Sequence, residues 1–380
     1  MEKVRIGVIG CGGMGQAHIK SIKELPEAEL AAVCDVDAKV LDGLTKANNV
    51  KGFADSKELT GSGLVDAVVI ATPHYFHPTI AVDAFEKGLH VLSEKPISVT
   101  VSAADIMLRA AKKSGKVFAV MYQQRTLPAI RLARQIIRSG KLGKIIRTMM
   151  VEPNYRCQAY YNSSGWRATW TGEGGGVLIN QAPHGIDLFM LLGGMPVRVN
   201  ARVRTKIHDI EVEDEASAML EYENGTWGYY YTSTCEMPAS TRMEISGDRG
   251  KLVYVDGELK LYMLNPPVSD HNKETKEMWS FPQVQEEQLE LPKAETGHKE
   301  ILRNFCAAIL RKEELISPGE DGMKAVEFIN AVCLSGRMGK PVDIPVDRRQ
   351  YDMLLDKLRR NSKEKKEAVK TERVTDPRFK

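Results

Sequence analysis

The sequence has no C-x-x-C pair, and its six cysteines, at 11, 34, 157, 235, 306 and 333, follow no metal-binding spacing. This excludes a zinc module or a disulfide scaffold. The cysteines read as reduced, mostly buried thiols, and no metal ligand set is expected. No apolar run reaches the ~18 residues that a membrane span requires, so no membrane partner is expected. The net charge is only +3, and residues 361–380 account for it with seven Lys/Arg against four Asp/Glu. The remaining chain is neutral overall, which removes the electrostatic footprint of a nucleic-acid binder. Strand-like residues begin at Val4, which leaves no room for a signal peptide ahead of them, and a cytoplasmic location is expected. No internal repeat is present.

What the chain does have is 380 residues with an ordinary apolar share of 43%, enough for two soluble domains. Val4, Ile6, Val8 and Ile9 form a short apolar strand that runs into Gly10-Cys11-Gly12-Gly13-Met14-Gly15. Gly10, Gly12 and Gly15 fit G-x-G-x-x-G at a strand-to-helix turn, where a pyrophosphate can meet the helix N-terminus. A second apolar strand, Leu30 to Cys34, ends at Asp35, about 20 residues after the last glycine, where a ribose-binding acid belongs. A carboxylate there accepts from ribose hydroxyls and repels a 2′-phosphate. No arginine follows closely, so the expected cofactor is NAD rather than NADP, with Lys39 the one residue that softens this preference.

Strand and helix alternate through the first 125 residues, which implies a parallel sheet covered on both faces. Strands are expected at 65–71, 90–93 and 117–121, with helices at about 78–87, closed by Gly88, and 102–114. The glycine turn, Asp35, Thr72–His77, Glu94–Pro96 and Tyr122–Arg125 all stand at carboxyl ends of strands and should share one crevice. Past a helix near 128–139, residues 145–263 read as successive strands. Asn224-Gly225, Asp256-Gly257 and the segment Gly247 to Gly250 are their tight connections. The expected fold is therefore an α/β N-terminal domain with a doubly wound parallel sheet, of the Rossmann type (1–125), joined to an α+β C-terminal domain (126–360). The second domain carries a large, mainly antiparallel open sheet, and a charged tail (361–380) follows. Residues 265–297 read as an exposed excursion, and helices are expected at about 298–312, 321–338 and 347–360.

Glu94-Lys95-Pro96 places a lysine in the crevice, where burial and a cationic nicotinamide would disfavour its ammonium and suit it to proton transfer or oxyanion binding. A surface lysine before a turn proline is the plainer reading of that tripeptide alone. The third motif runs Gly174-Gly175-Gly176-Val177-Leu178-Ile179-Asn180-Gln181-Ala182-Pro183-His184-Gly185-Ile186-Asp187. With Gly10–Gly15, Ala71-Thr72-Pro73, Glu94-Lys95-Pro96, Gly165-Trp166-Arg167 and Gly297-His298, it resembles the glucose–fructose oxidoreductase/inositol dehydrogenase (Gfo/Idh/MocA) family over roughly residues 3 to 345.

The resemblance implies catalytic residues Lys95 and His184 on either side of the reacting carbon. Asn180 stands where the usual member has aspartate, so His184 is expected to be a weaker base than its relatives and Lys95 to carry more of the proton transfer. It implies that Gly10, Gly12, Gly13, Met14, Gly15, Asp35, Thr72, Pro73, His77, Glu94, Lys95 and Gln123 line the cofactor. Arg156, Trp166, Arg167, Asn180 and His184 are the expected substrate-binding residues. Asp187 is expected to pack rather than to replace the missing carboxylate. His74 is expected at the surface, and Tyr229–Tyr231 and His298 are left open. The implied reaction is hydride transfer between NAD and a secondary hydroxyl or ketone of a sugar, glycoside or cyclitol. The alternatives are an NAD-dependent glycosidase working by transient oxidation and elimination, and a non-catalytic dinucleotide-binding regulator. A homodimer or homotetramer built through the open sheet is expected.

Overall fold

A computed structural model describes residues 2–362; the expected charged tail lies outside the described residues apart from Asn361 and Ser362. The first sheet contains β1 (Val4–Ile9), β2 (Ala28–Cys34), β3 (Lys51–Phe53), β4 (Ala67–Ile70), β5 (His90–Ser93) and β6 (Phe118–Val120). All six are parallel, in the order β3-β2-β1-β4-β5-β6. Its helices are α1 (Gly13–Lys23), α2 (Ala38–Asn48), α3 (Ser56–Thr60), α4 (His77–Glu86) and α5 (Val101–Ser114), followed by α6 (Pro128–Arg138).

Register sets the crevice. Ile9 pairs with both Cys34 and Ile70, Ile70 with Ser93, and Ser93 with Val120. Their successors Gly10, Asp35, Ala71, Glu94 and Met121 therefore leave the sheet in one row. Helix starts on this edge follow local chemistry: the Asp37 side chain accepts from Lys39 N at 2.9 Å to cap α2, and Thr100 accepts from Ala103 N at 3.2 Å to cap α5. α1 differs, because Gly12 caps it without a side chain and its first N–H groups remain available for an anion.

The second part opens with β7 (Ile145–Pro153), α7 (Gln158–Asn162), α8 (Val177–Asn180) and α9 (Pro183–Gly193). There follow β8 (Arg198–Arg204), β9 (Glu215–Glu221), β10 (Trp227–Ser233), β11 (Arg242–Gly247), β12 (Gly250–Val255) and β13 (Glu258–Asn265). The chain continues through α10 (Val268–Glu274), β14 (Gln283–Glu287), α11 (Gly297–Arg311), α12 (Gly319–Met338), β15 (Val342–Asp343) and α13 (Arg348–Arg360). The nine strands run β14-β13-β12-β11-β7-β10-β9-β8-β15, antiparallel except for β7 beside β10. The Asp256-Gly257 turn joins β12 to β13 with both residues at positive φ, 47° and 98°, as its sequence demands.

One feature departs from the sequence reading. Residues 265–297 are exposed but not merely an excursion, since β14 pairs with β13 and forms the sheet edge. Its sequence, Gln-Val-Gln-Glu-Glu, presents no buried face and so no apolar alternation to read. The helix expected at about 298–312 is α11, which packs Ile301, Leu302, Phe305 and Cys306 against Val4, Ile6 and Val8 of β1. On the large sheet, α9 and α12 cover one face, with Tyr230 stacked on Phe189 and edge-on to Phe328. The other face carries the ion pairs Arg147–Glu244 and Arg204–Glu215 beside exposed Met219 and Trp227.

Candidate active site at the edge of the parallel sheet

The glycine turn is built for close approach. Gly10 sits at φ +88°, and a Cβ there would lie 2.7 Å from the Ala71 backbone; at Gly15 it would lie 2.0 Å from Gly10 O. Gly12 and Gly13 face open space, and Met14 is partly exposed beside them. Asp35 accepts from Cys11 N at 2.6 Å through one oxygen and from Asp37 N at 2.9 Å through the other, which pins the β2 end to the turn. Thr72 Oγ1 and Gln123 Oε1 are buried without a protein partner. Free helix N–H groups, open glycines, an anchored carboxylate and orphaned polar atoms are together what a dinucleotide requires. Pro73 leads the short turn that follows Thr72. His77 is buried, with ring nitrogens 2.7 Å from Thr72 O and 2.9 Å from Pro96 O, so it ties the β4 turn to the β5 turn.

The β5 turn carries Glu94 and Lys95, and the Lys95–Pro96 peptide bond is cis. Burial alone would raise the Glu94 pKa, but a 2.7 Å contact with His18 and the charges of His18, His298 and Lys95 bring it down to about 2. Burial depresses the Lys95 pKa, against the raising pull of Glu94 and Glu173. Its Nζ donates to Asn180 O at 2.9 Å. His184, in the first turn of α9, is held at a pKa of about 3, first by burial and then by the charge of Lys95. Gln123 Nε2 donates to His184 Nε2 at 3.4 Å, and His184 Nδ1 is buried without a partner.

A substrate side forms from the loop before α8. Arg167 stacks over Tyr160 (4.3 Å) and Trp166 (4.9 Å), Arg156 stacks over the same tyrosine (5.1 Å), and Arg167 donates to Tyr160 Oη. Glu213 organises the helix behind them, accepting from Gly176 N at 2.9 Å and Leu178 N at 3.2 Å.

Several residues lie elsewhere than expected. His74 is buried rather than at the surface, its Nδ1 3.2 Å from Glu173 O and its ring edge-on to Trp166. A lone histidine after a strand gave no sign of the loop that covers it. Asp187 packs, as expected, through paired hydrogen bonds from Arg125 that fix α9 to the turn bearing Gln123. Tyr230 is core, and the Tyr231 hydroxyl lies 3.1 Å from Glu215, so that strand presents neither hydroxyl to the crevice. His298 stands edge-on to His18, 5.7 Å away, at the margin of the site. Three site residues were not anticipated: His18, Tyr160 and above all Glu173, which accepts from Asn180 Nδ2 and from Ala168 N at 2.5 Å. The position of Glu173 just ahead of the triple glycine was the one available signal. Among the described residues, His208, Asp214 and Cys235 form the only group spaced like metal ligands. The Asp214 carboxylate there already accepts three backbone N–H bonds and contacts His208.

Comparison with known proteins settles the family. Residues 4–122 match the model described as oxidoreductase family, NAD-binding Rossmann fold (GFO_IDH_MocA), and residues 130–253 match the GFO/IDH/MocA C-terminal domain. The chain belongs to the Gfo/Idh/MocA family. Among relatives, the D-glucoside 3-dehydrogenase of Escherichia coli is 27% identical over 82% of this chain and 95% of that one. The levoglucosan dehydrogenase of Pseudarthrobacter phenanthrenivorans is 27% identical over 67% and 74%. Among solved structures, the WlbA dehydrogenase from Bordetella pertussis, in complex with NADH and UDP-GlcNAcA, is 26% identical. It matches with a TM-score of 0.76 over 91% of this chain and all of that one. The chain is thus an NAD-binding oxidoreductase of the Gfo/Idh/MocA family.

Proposed function

We propose that this oxidoreductase transfers a hydride between NAD and a secondary hydroxyl, or the matching ketone, of a sugar, glycoside or cyclitol. The observation that carries the reading is the convergence of Lys95, whose charge acts on His184 and whose Nζ bonds the Asn180 backbone oxygen, with the Trp166–Arg167–Tyr160 stack that Asn180 also touches. An aromatic and guanidinium surface suits a flat, hydroxyl-bearing ring, and relatives named for glucosides and levoglucosan support that class.

In this reading the glycine turn and α1 hold the pyrophosphate, Asp35 holds the adenosine ribose, and Thr72, Pro73, Glu94 and Gln123 line the remainder. NAD, when bound, supplies the hydride acceptor. The chain handles the proton. Burial lowers the Lys95 pKa, so its amine takes the hydroxyl proton as the carbon–hydrogen bond breaks, and returns it for ketone reduction. His184, neutral and held by Gln123, orients the hydroxyl. Residues 1–125 act as the cofactor domain and 126–360 as the substrate domain. The outer face of the large sheet, with Met219 and Trp227 exposed, pairs copies into a homodimer or homotetramer.

The experiment is to incubate the protein with NAD and a panel of methyl glucosides, levoglucosan, glucose 6-phosphate and myo-inositol, and follow NADH formation. Stoichiometric NADH with a keto-sugar product is expected. Cleavage of an aryl glycoside with no net NADH would replace this reading by the glycosidase, and inertness towards every class would remove it.

A further inference from the structure

One buried carboxylate beside Lys95 has no part in the roles above. Glu173 is 1% exposed and spends one oxygen on Ala168 N and the other on Asn180 Nδ2. Asn180 in turn gives its backbone oxygen to Lys95 Nζ at 2.9 Å, which leaves its Oδ1 without a protein partner among the described residues. The carboxylate, with Tyr160 Oη accepting from the same Nδ2 at 3.3 Å, sets which way the Asn180 amide points. An ionised carboxylate only accepts, so it fixes the NH₂ end against itself and turns Oδ1 away.

We propose that Glu173 is the positioning residue of this site: it locks the Asn180 amide with Oδ1 presented to the substrate hydroxyl and supplies the negative charge that the asparagine lacks. The proposal rests on the dehydrogenase reading for the substrate contact, but not for the charge at Lys95. The charged groups around Glu173 are Lys95, Arg167 and Glu213, with the Tyr161 hydroxyl also close, and His74 meets only its backbone oxygen. Burial raises the Glu173 pKa to about 7, while Ala168 N, Arg167 and Asn180 favour the charged form. It therefore titrates within the working range of an enzyme. A protonated Glu173 can donate to Oδ1 and let the amide reverse, which would replace the acceptor facing the substrate by a donor.

Glu173→Gln keeps the shape and breaks the pattern. With its oxygen on Ala168 N, the introduced NH₂ either opposes Asn180 Nδ2 or reverses that amide, and reversal turns Nδ2 instead of Oδ1 towards the substrate. The exchange variant E173Q/N180D restores one carboxylate and one amide in reversed places. Two readouts separate the proposal from the reaction. The first needs no substrate: carbamylation of Lys95 by cyanate, followed by mass spectrometry across pH in the NAD-bound protein. Loss of the Glu173 charge should lower the Lys95 midpoint by about one pH unit, and the exchange variant should restore it. The second is kcat on whichever panel sugar the wild type oxidises. It should fall at least tenfold in E173Q with NAD affinity kept within about twofold, and recover at least half that loss in the exchange variant.

A wild-type Lys95 midpoint together with wild-type kcat in E173Q would reduce Glu173 to a clasp for the Ala168 loop and overturn the proposal. If E173Q does not fold, the exchange variant decides alone: recovery supports the proposal, and a folded but inactive protein with an altered Lys95 midpoint overturns it. If no panel sugar is oxidised, the dehydrogenase reading fails, while the Lys95 midpoint still tests the charge.

Discussion

Lys95 Nζ and the Asn180 backbone oxygen lie 2.9 Å apart and join the edge of the parallel sheet to the helix that follows the triple glycine. This single contact brings together two motifs separated by 85 residues. It places the ammonium where burial works against its charge and where its field reaches His184. The pair of turns held by His77 keeps that geometry from depending on a single loop.

Lys95→Met and His184→Ala should each lower kcat, Lys95→Met by about 10²–10⁴-fold, while NAD affinity and melting temperature change little. His184→Ala should cost less, because an imidazole held at a pKa of about 3 orients rather than accepts a proton. Steady-state kinetics beside calorimetric NAD titration checks both. A loss below tenfold at Lys95 would move the proton transfer elsewhere.

Asp35→Ala should weaken NAD binding and narrow the preference over NADP. Its carboxylate both repels a 2′-phosphate and anchors Cys11 N, so the variant loses discrimination and some order in the glycine turn. Titration of both cofactors into wild type and variant measures this, and equal wild-type affinities would overturn the role of Asp35.

Much of this was legible in the sequence. The glycine turn, Asp35 and the strand-end row follow from short apolar runs and a fingerprint in which Gly10 and Gly15 meet a steric demand while Gly12 leaves the backbone open. The type I′ turn at Asp256-Gly257 was equally plain, because both residues need positive φ. Glu173 was not legible. A carboxylate's burial depends on what closes over it, and here that is the Ala168 turn and Asn180, linked only in three dimensions. The same holds for His74, which is covered by Trp166 from a much later segment of the chain.

His74 and His184 both have pKa values lowered to about 3, principally by burial, so the folded protein binds fewer protons than the unfolded chain below pH 6.5. Their contribution to stability is complete above about pH 6.5 and is lost as pH falls from there towards 3. Each adds a slope of about 1.4 kcal/mol per pH unit over that window. His74→Asn, which can keep the donor to Glu173 O, should remove one such increment. Urea unfolding at pH 4, 5 and 6 measures the slope, and an unchanged slope would mean His74 is not buried neutral.

Asn180→Asp is the sharpest probe, because it places a second carboxylate against Glu173 at nearly constant shape. In the wild type, the Glu173 pKa is raised to about 7 by burial, so the stability it confers is full below its unfolded value and lost as pH rises through 7. Two carboxylates within hydrogen-bonding distance share one proton, and the second ionisation moves higher still. The variant should therefore go on losing stability above pH 7, by up to about 1.4 kcal/mol per pH unit, where the wild type has levelled off. Its melting temperature should match wild type near pH 6 and fall behind it by pH 8.5. Adding Glu173→Gln removes the second carboxylate and should abolish the difference. If Asn180→Asp instead follows the wild-type curve to pH 8.5, the two side chains do not meet in solution, and the chain from Glu173 through Asn180 to Lys95 is broken at its first link.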